Sequence, residues 1–96
     1  MLKNKTLSML GFLKIISDEK RWKILYALKN KELNVKEVAE SQKIPHNMAS
    51  HHLQVLKRYK LILSRKSGKE TYYKIDFSLM ATYCGIFNKV INPLKK

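Results

Sequence analysis

The chain has little of what a disulfide framework, a membrane span or a flexible linker requires. Its single cysteine, Cys84, excludes any disulfide within the chain. That fits a reducing cytoplasm, the location expected here. Two prolines and three glycines leave no Pro/Gly linker, and no internal repeat or low-complexity segment interrupts the 96 residues. A chain of this length holds one core, so residues 1–96 are expected to form a single domain. No apolar run approaches the ~18 residues of a membrane helix, and no membrane partner is expected. The start "MLKNKTLSMLGFLKIIS" has a basic end and an apolar run, but Lys14 interrupts it and no small-residue cleavage pattern follows, so a signal peptide is not expected.

Acids are also scarce. Seven Asp and Glu stand against twenty Lys and Arg, a formal charge of +13. Such an excess attracts polyanions, nucleic acid first and anionic membrane surfaces second. The surplus is uneven. Residues 14–40 carry seven basic and five acidic side chains, whereas residues 41–74 carry eight basic ones and Glu70 as the one acid. The positive field belongs to the second half of the chain.

What is present is mostly helical patterning. Leu7, Leu10, Leu13 and Ile16, flanked by Met9 and Phe12, recur at helical spacing over residues 5–16. Ser17 reads as an N-cap before Asp18 and Glu19, acids that suit the first turn of a helix. "DEKRWKILYALK" follows, with Trp22, Leu25, Tyr26 and Leu28 expected on its inner side. In "LNVKEVAESQ", Asn34 and Glu37 have capping-box spacing, and Val35, Val38 and Ala39 supply the inner face. "KIP" ends that helix, since Pro45 fits only at or before the first turn of the next. Helix 46–59 then places Ala49, Leu53 and Leu56 inward. After Leu61 the period shortens. "ILSRK" and "KETYYKI" around Ser67–Gly68 read as a β-hairpin, with Arg65, Lys66 and Lys69 at its tip. Helix 78–91 carries two adjacent apolar stripes, Leu79–Tyr83–Ile86–Val90 and Met80–Cys84–Phe87–Ile91. One stripe suffices to pack on a small domain, so a partner chain is the economical use of the other.

Two helices joined by a tight turn, the second polar outside and basic at its end, form a helix-turn-helix. On helix 46–59 the side chains opposite the core stripe are His46, Asn47, Ser50, His51, Gln54, Lys57 and Arg58. Their spacing makes one continuous face. Its first half offers neutral donors and acceptors that reach base edges, as Asn and Gln do to adenine. Its last turn and the hairpin tip offer cations, which suit phosphates. The expected partner is double-stranded DNA, with His46, Asn47, Ser50, His51 and Gln54 toward bases. Lys57, Arg58, Arg65, Lys66 and Lys69 are then set for phosphates. A merely solvated face is the plain alternative, and the charge surplus of residues 41–74 argues against it.

The three histidines within seven residues also invite a metal reading. His51 and His52 are adjacent and diverge by about 100°, and a spacing of five separates His46 from His51, so no chelating pair results. His52 turns toward the flank as a structural or partly core residue. An imidazole beside phosphate has its protonated form favoured, so DNA affinity is expected to rise, through His46 or His51, as pH falls toward about 6. Trp22, Tyr26, Tyr72 and Tyr73 read as core and hairpin-root packing. Glu19, Glu32, Glu37 and Glu40 read as scattered on solvated helix faces. No Ser/His/Asp, Cys/His or paired-carboxylate arrangement is visible, so no enzyme is expected.

The segment "LKIISDEKRWKILYALKNKELNVKEVAESQKIPHNMASHHLQVLKRYKLILSRKSGKETYYKI", about residues 13–75, resembles the ArsR/SmtB-type family of winged-helix repressors. "SDEKRWKIL", "ELNVKEVAE", "MASHHLQVLK" and the wing-like "SRKSGKETYYKI" carry the likeness in that order. It implies a mostly helical α+β fold, a winged helix-turn-helix of about five helices plus a two-stranded β-hairpin wing. It also implies a homodimer built from the terminal helices, about 5–16 and 78–91, in agreement with the doubled apolar face. Leu7, Leu10, Leu13, Leu79, Tyr83, Ile86, Phe87 and Val90 are the candidate contacts. Two-fold symmetry then predicts a palindromic operator, and such proteins release DNA when an inducer binds. The usual Cys-x-Cys ligand positions of the family's metal sensors are Asn34 and Lys36 here. After Ile75 there is Asp76 but no His and no Glu for the terminal-helix zinc site. No metal and no cofactor is therefore expected, and the inducer is not identified. Pro45 stands where the family has a Ser N-cap. Cys84 reads first as a buried small apolar residue, with a redox switch at the dimer interface as the alternative. The other functional readings are a protein-interaction subunit docking its basic face on an acidic partner, and, more weakly, membrane-surface association through helix 5–16.

Overall fold

The computed structural model describes the backbone of residues 2–91 and the side chains of residues 9–86, 88 and 89. Five helices and three strands follow one another: α1 (Leu2–Ile16), α2 (Glu19–Ala27), β1 (Leu33–Asn34), α3 (Val35–Gln42), α4 (His46–Arg58), β2 (Ile62–Ser67), β3 (Glu70–Ile75) and α5 (Phe77–Ile91). Ile24, Leu28, Val38, Leu53, Leu56, Leu61 and Ile62 are the most deeply buried large side chains, so the core lies where α2, α3 and α4 meet the base of the hairpin.

The junction of α1 and α2 differs from the sequence reading by one residue. Ser17 still donates its N–H to Leu13 O at 3.0 Å and its hydroxyl to Lys14 O at 2.8 Å, so it closes α1. Asp18 is the N-cap of α2, accepting Arg21 N–H at 3.0 Å. That backbone hydrogen bond, more than the nearby guanidinium of Arg21, holds the Asp18 carboxyl below its ordinary range.

Helix α2 is also rotated from expectation. Ile24, Leu25 and Leu28 are buried, whereas Trp22 is 55% and Tyr26 64% exposed. At about 100° per residue, Ile24 recentres the inner arc and leaves the Trp22–Tyr26 row well off its middle. In α1 the core takes Phe12 and Ile15, with Met9, Leu13 and Ile16 partly buried against it, while Leu10 is 58% exposed. Phe12 stacks on Tyr83 of α5, ring centroids 4.4 Å apart. Cys84, read first as buried, is exposed. The interface candidates Leu7, Phe87 and Val90 lie outside the described side chains.

The capping box at α3 is present in both directions. Asn34 Oδ1 accepts Glu37 N–H and Glu37 Oε1 accepts Asn34 N–H, each at 2.8 Å. Asn34 also belongs to β1, a strand too short to announce itself in the sequence. It pairs antiparallel with β3 through Leu33–Tyr73 and Asn34–Tyr72, giving a three-stranded sheet of order β1-β3-β2 where a two-stranded wing was expected. In the hairpin, Ser67 pairs with Glu70, so the turn residues are Gly68 and Lys69 and not Ser67–Gly68. Gly68 has φ +64, a conformation that a side chain at this first turn position would strain.

Candidate nucleic-acid interface

Helix α4 is held on one side by burial and is open on the other. Ala49, Leu53 and Leu56 are fully buried, and Val55 and His52 widen that inner face. His46, Asn47, His51, Gln54, Lys57 and Arg58 are exposed, and Ser50 is half-buried at the edge. These five buried residues dictate which side chains point away, and the spacing expected from the sequence is present. The helix is 13 residues long, about 20 Å at 1.5 Å per residue. Its neutral groups occupy the first two turns and its cations, Lys57 and Arg58, the last.

The approach to α4 is tight. Lys43 adopts a left-handed conformation (φ 56) at the end of α3, and Pro45 begins α4 with no side-chain cap. Met48 and Ala49 donate their N–H groups to Pro45 O at 3.1 and 3.0 Å. The earlier N–H groups of His46 and Asn47 therefore face forward at the exposed, positive end of the helix dipole.

The wing lies beyond the other end of α4. Lys66 and Lys69 are exposed at its tip. Arg65 differs from them. Its guanidinium holds Glu32 with both ends of the fork, at 2.7 to 3.0 Å, and lies 5.1 Å from the centroid of Tyr72. Glu32 was read as a solvated helix residue. It sits instead between α2 and β1, its carboxyl held below the ordinary range by this hydrogen-bonded partner. Arg65 thereby ties the wing to the segment before β1, while Lys66 and Lys69 carry the tip charge. Nothing in the residue spacing pairs positions 32 and 65; β3, paired with β1 on one side and β2 on the other, brings them together.

His52 is 9% exposed, and its Nδ1 has no hydrogen-bond partner among the described atoms. Burial pushes its pKa down, against the opposing pull of Asp18. Its ring centroid is 5.9 Å from that of His51, with the two rings tilted. The exposed His46 and His51 and the inward His52 therefore do not converge on one ion.

Trp22 and Tyr26, expected in core and hairpin-root packing, instead form an exposed aromatic row on α2, with Lys29 Nζ 4.2 Å from the Tyr26 ring centroid. Tyr73 is buried and Tyr72 half-buried at the wing root, as expected. Among the described residues, no helix is long and apolar enough to cross a membrane.

A family model described as "Bacterial regulatory protein, arsR family" matches residues 18–62. The transcriptional repressor SdpR of Bacillus subtilis is 34% identical over 67 residues, covering 70% of this chain and 74% of that protein. The chain belongs to the ArsR family. Its members are transcriptional regulators, not enzymes. The cadmium resistance transcriptional regulatory protein CadC of Listeria innocua is 44% identical over 71 residues, which are 73% of this chain and 60% of that protein's length. The solution structure of a homodimeric winged helix-turn-helix DNA-binding domain from Mycobacterium bovis, a possible ArsR-family regulator, aligns with a TM-score of 0.73. It is 24% identical, and the alignment covers 97% of this chain and 88% of that one. The fold is thus a mostly helical winged helix-turn-helix.

Kinship to a cadmium regulator raises the question of a metal site, and the third-helix positions do not fit one. Asn34 is buried and its Oδ1 is engaged by Glu37 N–H. Lys36 is exposed and brings a positive charge. Asp76, before α5, accepts the N–H and hydroxyl of Ser78 at 3.1 and 2.7 Å. A side-chain cap and a cation stand where thiolates would be needed, and Asp76, the one carboxylate among these positions, already caps Ser78.

Proposed function

We propose that the chain is a DNA-binding transcriptional regulator that acts as a homodimeric repressor on a palindromic operator. The observation that carries this reading is the outer face of α4: neutral polar side chains for two turns, then Lys57 and Arg58, with Lys66 and Lys69 beyond. His46, Asn47, Ser50, His51 and Gln54 read base edges in the major groove. Lys57, Arg58, Lys66 and Lys69 hold phosphates, and Arg65 joins them from the wing root while tethered to Glu32.

The exposed Leu10 on α1, with Leu13, Leu79, Tyr83 and Ile86 partly buried, supports a second chain on the terminal helices. The Mycobacterium bovis neighbour is described as homodimeric and the Bacillus subtilis relative as a repressor, which favours the same assembly and action here. Two recognition helices related by a two-fold axis would enter successive major grooves about 34 Å apart.

Selection of bound DNA from a random pool tests the reading, with footprinting of the selected site. A symmetric consensus with a protected palindrome supports it. Uniform weak protection with no consensus refutes it and favours docking of the basic face on an acidic protein.

A further inference from the structure

Arg65 and Lys66 are adjacent on β2 but belong to opposite faces of the sheet, because successive strand residues alternate. Lys66 lies opposite Thr71, whereas Arg65 lies opposite Tyr72, on the face turned away from buried Ile62, Tyr73 and Ile75. On that outer face Arg65 is fixed. Its Nε donates to both Glu32 oxygens at 3.0 Å and its Nη2 donates to Oε1 at 2.7 Å. The guanidinium carbon lies 5.1 Å from the Tyr72 ring centroid. One edge of the guanidinium is therefore committed, and Nη1, at its far corner, has no hydrogen-bond partner among the described residues. Lys74, also on the outer face, further favours the Glu32 anion. A carboxylate held along one edge of a guanidinium leaves the pair close to neutral, so the charge of the wing tip resides on Lys66 and Lys69.

We infer that Glu32 is a positioning residue for DNA binding, on the DNA-binding reading given above: it withholds Arg65 from indiscriminate phosphate contact and fixes it so that Nη1 alone is offered to the operator backbone. Sequence-independent binding grows with the number of phosphates neutralised, and each one steepens the fall of log affinity with log salt by about 0.9. A chain of formal charge +13 is attracted to any duplex, so discrimination gains from a cation that cannot reach for the nearest phosphate. A fixed guanidinium meets a phosphate only where the register of α4 in the groove brings one to it.

The test measures affinity for a selected operator and for a scrambled duplex of equal length, across a salt series, with the full chain and three variants. Glu32→Gln keeps the shape of the side chain and an acceptor for Arg65 but removes the charge. It should strengthen binding to the scrambled duplex by about tenfold and steepen its salt slope by about 2 per dimer, with operator affinity changed less than about threefold. Arg65→Gln leaves the Glu32 carboxylate uncompensated and should weaken scrambled-duplex binding by about threefold. Adding Glu32→Gln to it should restore that binding to the wild-type value, a rescue that mere loss of wing structure would not give. Identical scrambled-duplex slopes for wild type and Glu32→Gln would overturn the inference and leave the DNA-binding reading intact. So would equal weakening of both duplexes by Glu32→Gln, or a double variant no better than Arg65→Gln, since Glu32 would then only brace the wing. Wild-type binding without salt dependence would overturn the DNA-binding reading and this inference together.

Discussion

The outer face of α4 and the exposed end formed by α1, α2 and α5 are both surfaces that the core leaves uncovered, yet their chemistry is opposite. The first is polar and then cationic, with Leu53 and Leu56 buried directly beneath it. The second carries Leu10, Trp22 and Tyr26 in the open, beside half-buried Leu79, Tyr83 and Ile86. A solvated polar face costs little by itself and acquires a partner through charge; an exposed aromatic and aliphatic face is unfavourable in water and acquires one through burial. Salt-sensitive binding of polyanions is then expected at one end of the molecule, and salt-tolerant apolar association at the other.

Breaking the support common to both ends has the largest effect. Leu53→Ala removes a fully buried side chain from between α4 and the core and should destabilise the fold by about 3 kcal/mol, read as a lowered midpoint in urea. Reversing the cations separates the two ends. Lys57→Glu with Arg58→Glu should weaken operator binding by about a hundredfold at moderate salt while leaving the oligomeric state unchanged, measured by anisotropy and analytical ultracentrifugation. Leu10→Glu makes the complementary cut. Because Leu10 is largely exposed in the single chain, the substitution should leave thermal stability of the monomer intact and raise the dimer dissociation constant by roughly tenfold.

A pH titration gives the smallest effect and sharpens the boundary beneath the reading face. Burial lowers the pKa of His52 from its ordinary value of 6.5, so the folded chain resists the proton that the unfolded chain accepts. The associated stability is full above that value and declines as pH falls below it. Asp18, also lowered from its ordinary 3.8, contributes stability that is lost only at more acid pH, so the two windows separate. Urea midpoints of wild type and His52→Gln should converge as pH falls from neutrality toward 5, whereas a constant difference would contradict the assignment.

The outer face of α4 was legible because a helix with buried Ala49, Leu53 and Leu56 leaves no choice about the opposite side. The capping box at Asn34 and Glu37 was legible for the same reason: its partners are three residues apart. What escaped was set by distant contacts. Apolar composition alone does not rank Ile24 above Trp22 for the interior, and the neighbours that bury Ile24 lie on other elements. Strand β1 has two residues and exists only through its pairing with β3. The Glu32–Arg65 tie follows from that pairing together with the β2–β3 hairpin and spans 33 positions. The exposed Trp22–Tyr26 row follows from the first of these, since both residues are apolar enough to be expected in the core. The one-residue shift at Ser17 and Asp18 reflects two residues that are each good caps, decided by whether α1 completes another turn.

The central claim is that the cations at the end of α4 and on the wing act on DNA phosphates. The salt dependence of operator affinity tests it most directly. Neutralisation of about eight phosphates per dimer predicts that log affinity falls with log salt concentration at a slope near −7. A slope near zero would contradict the account, because binding would then owe nothing to those cations.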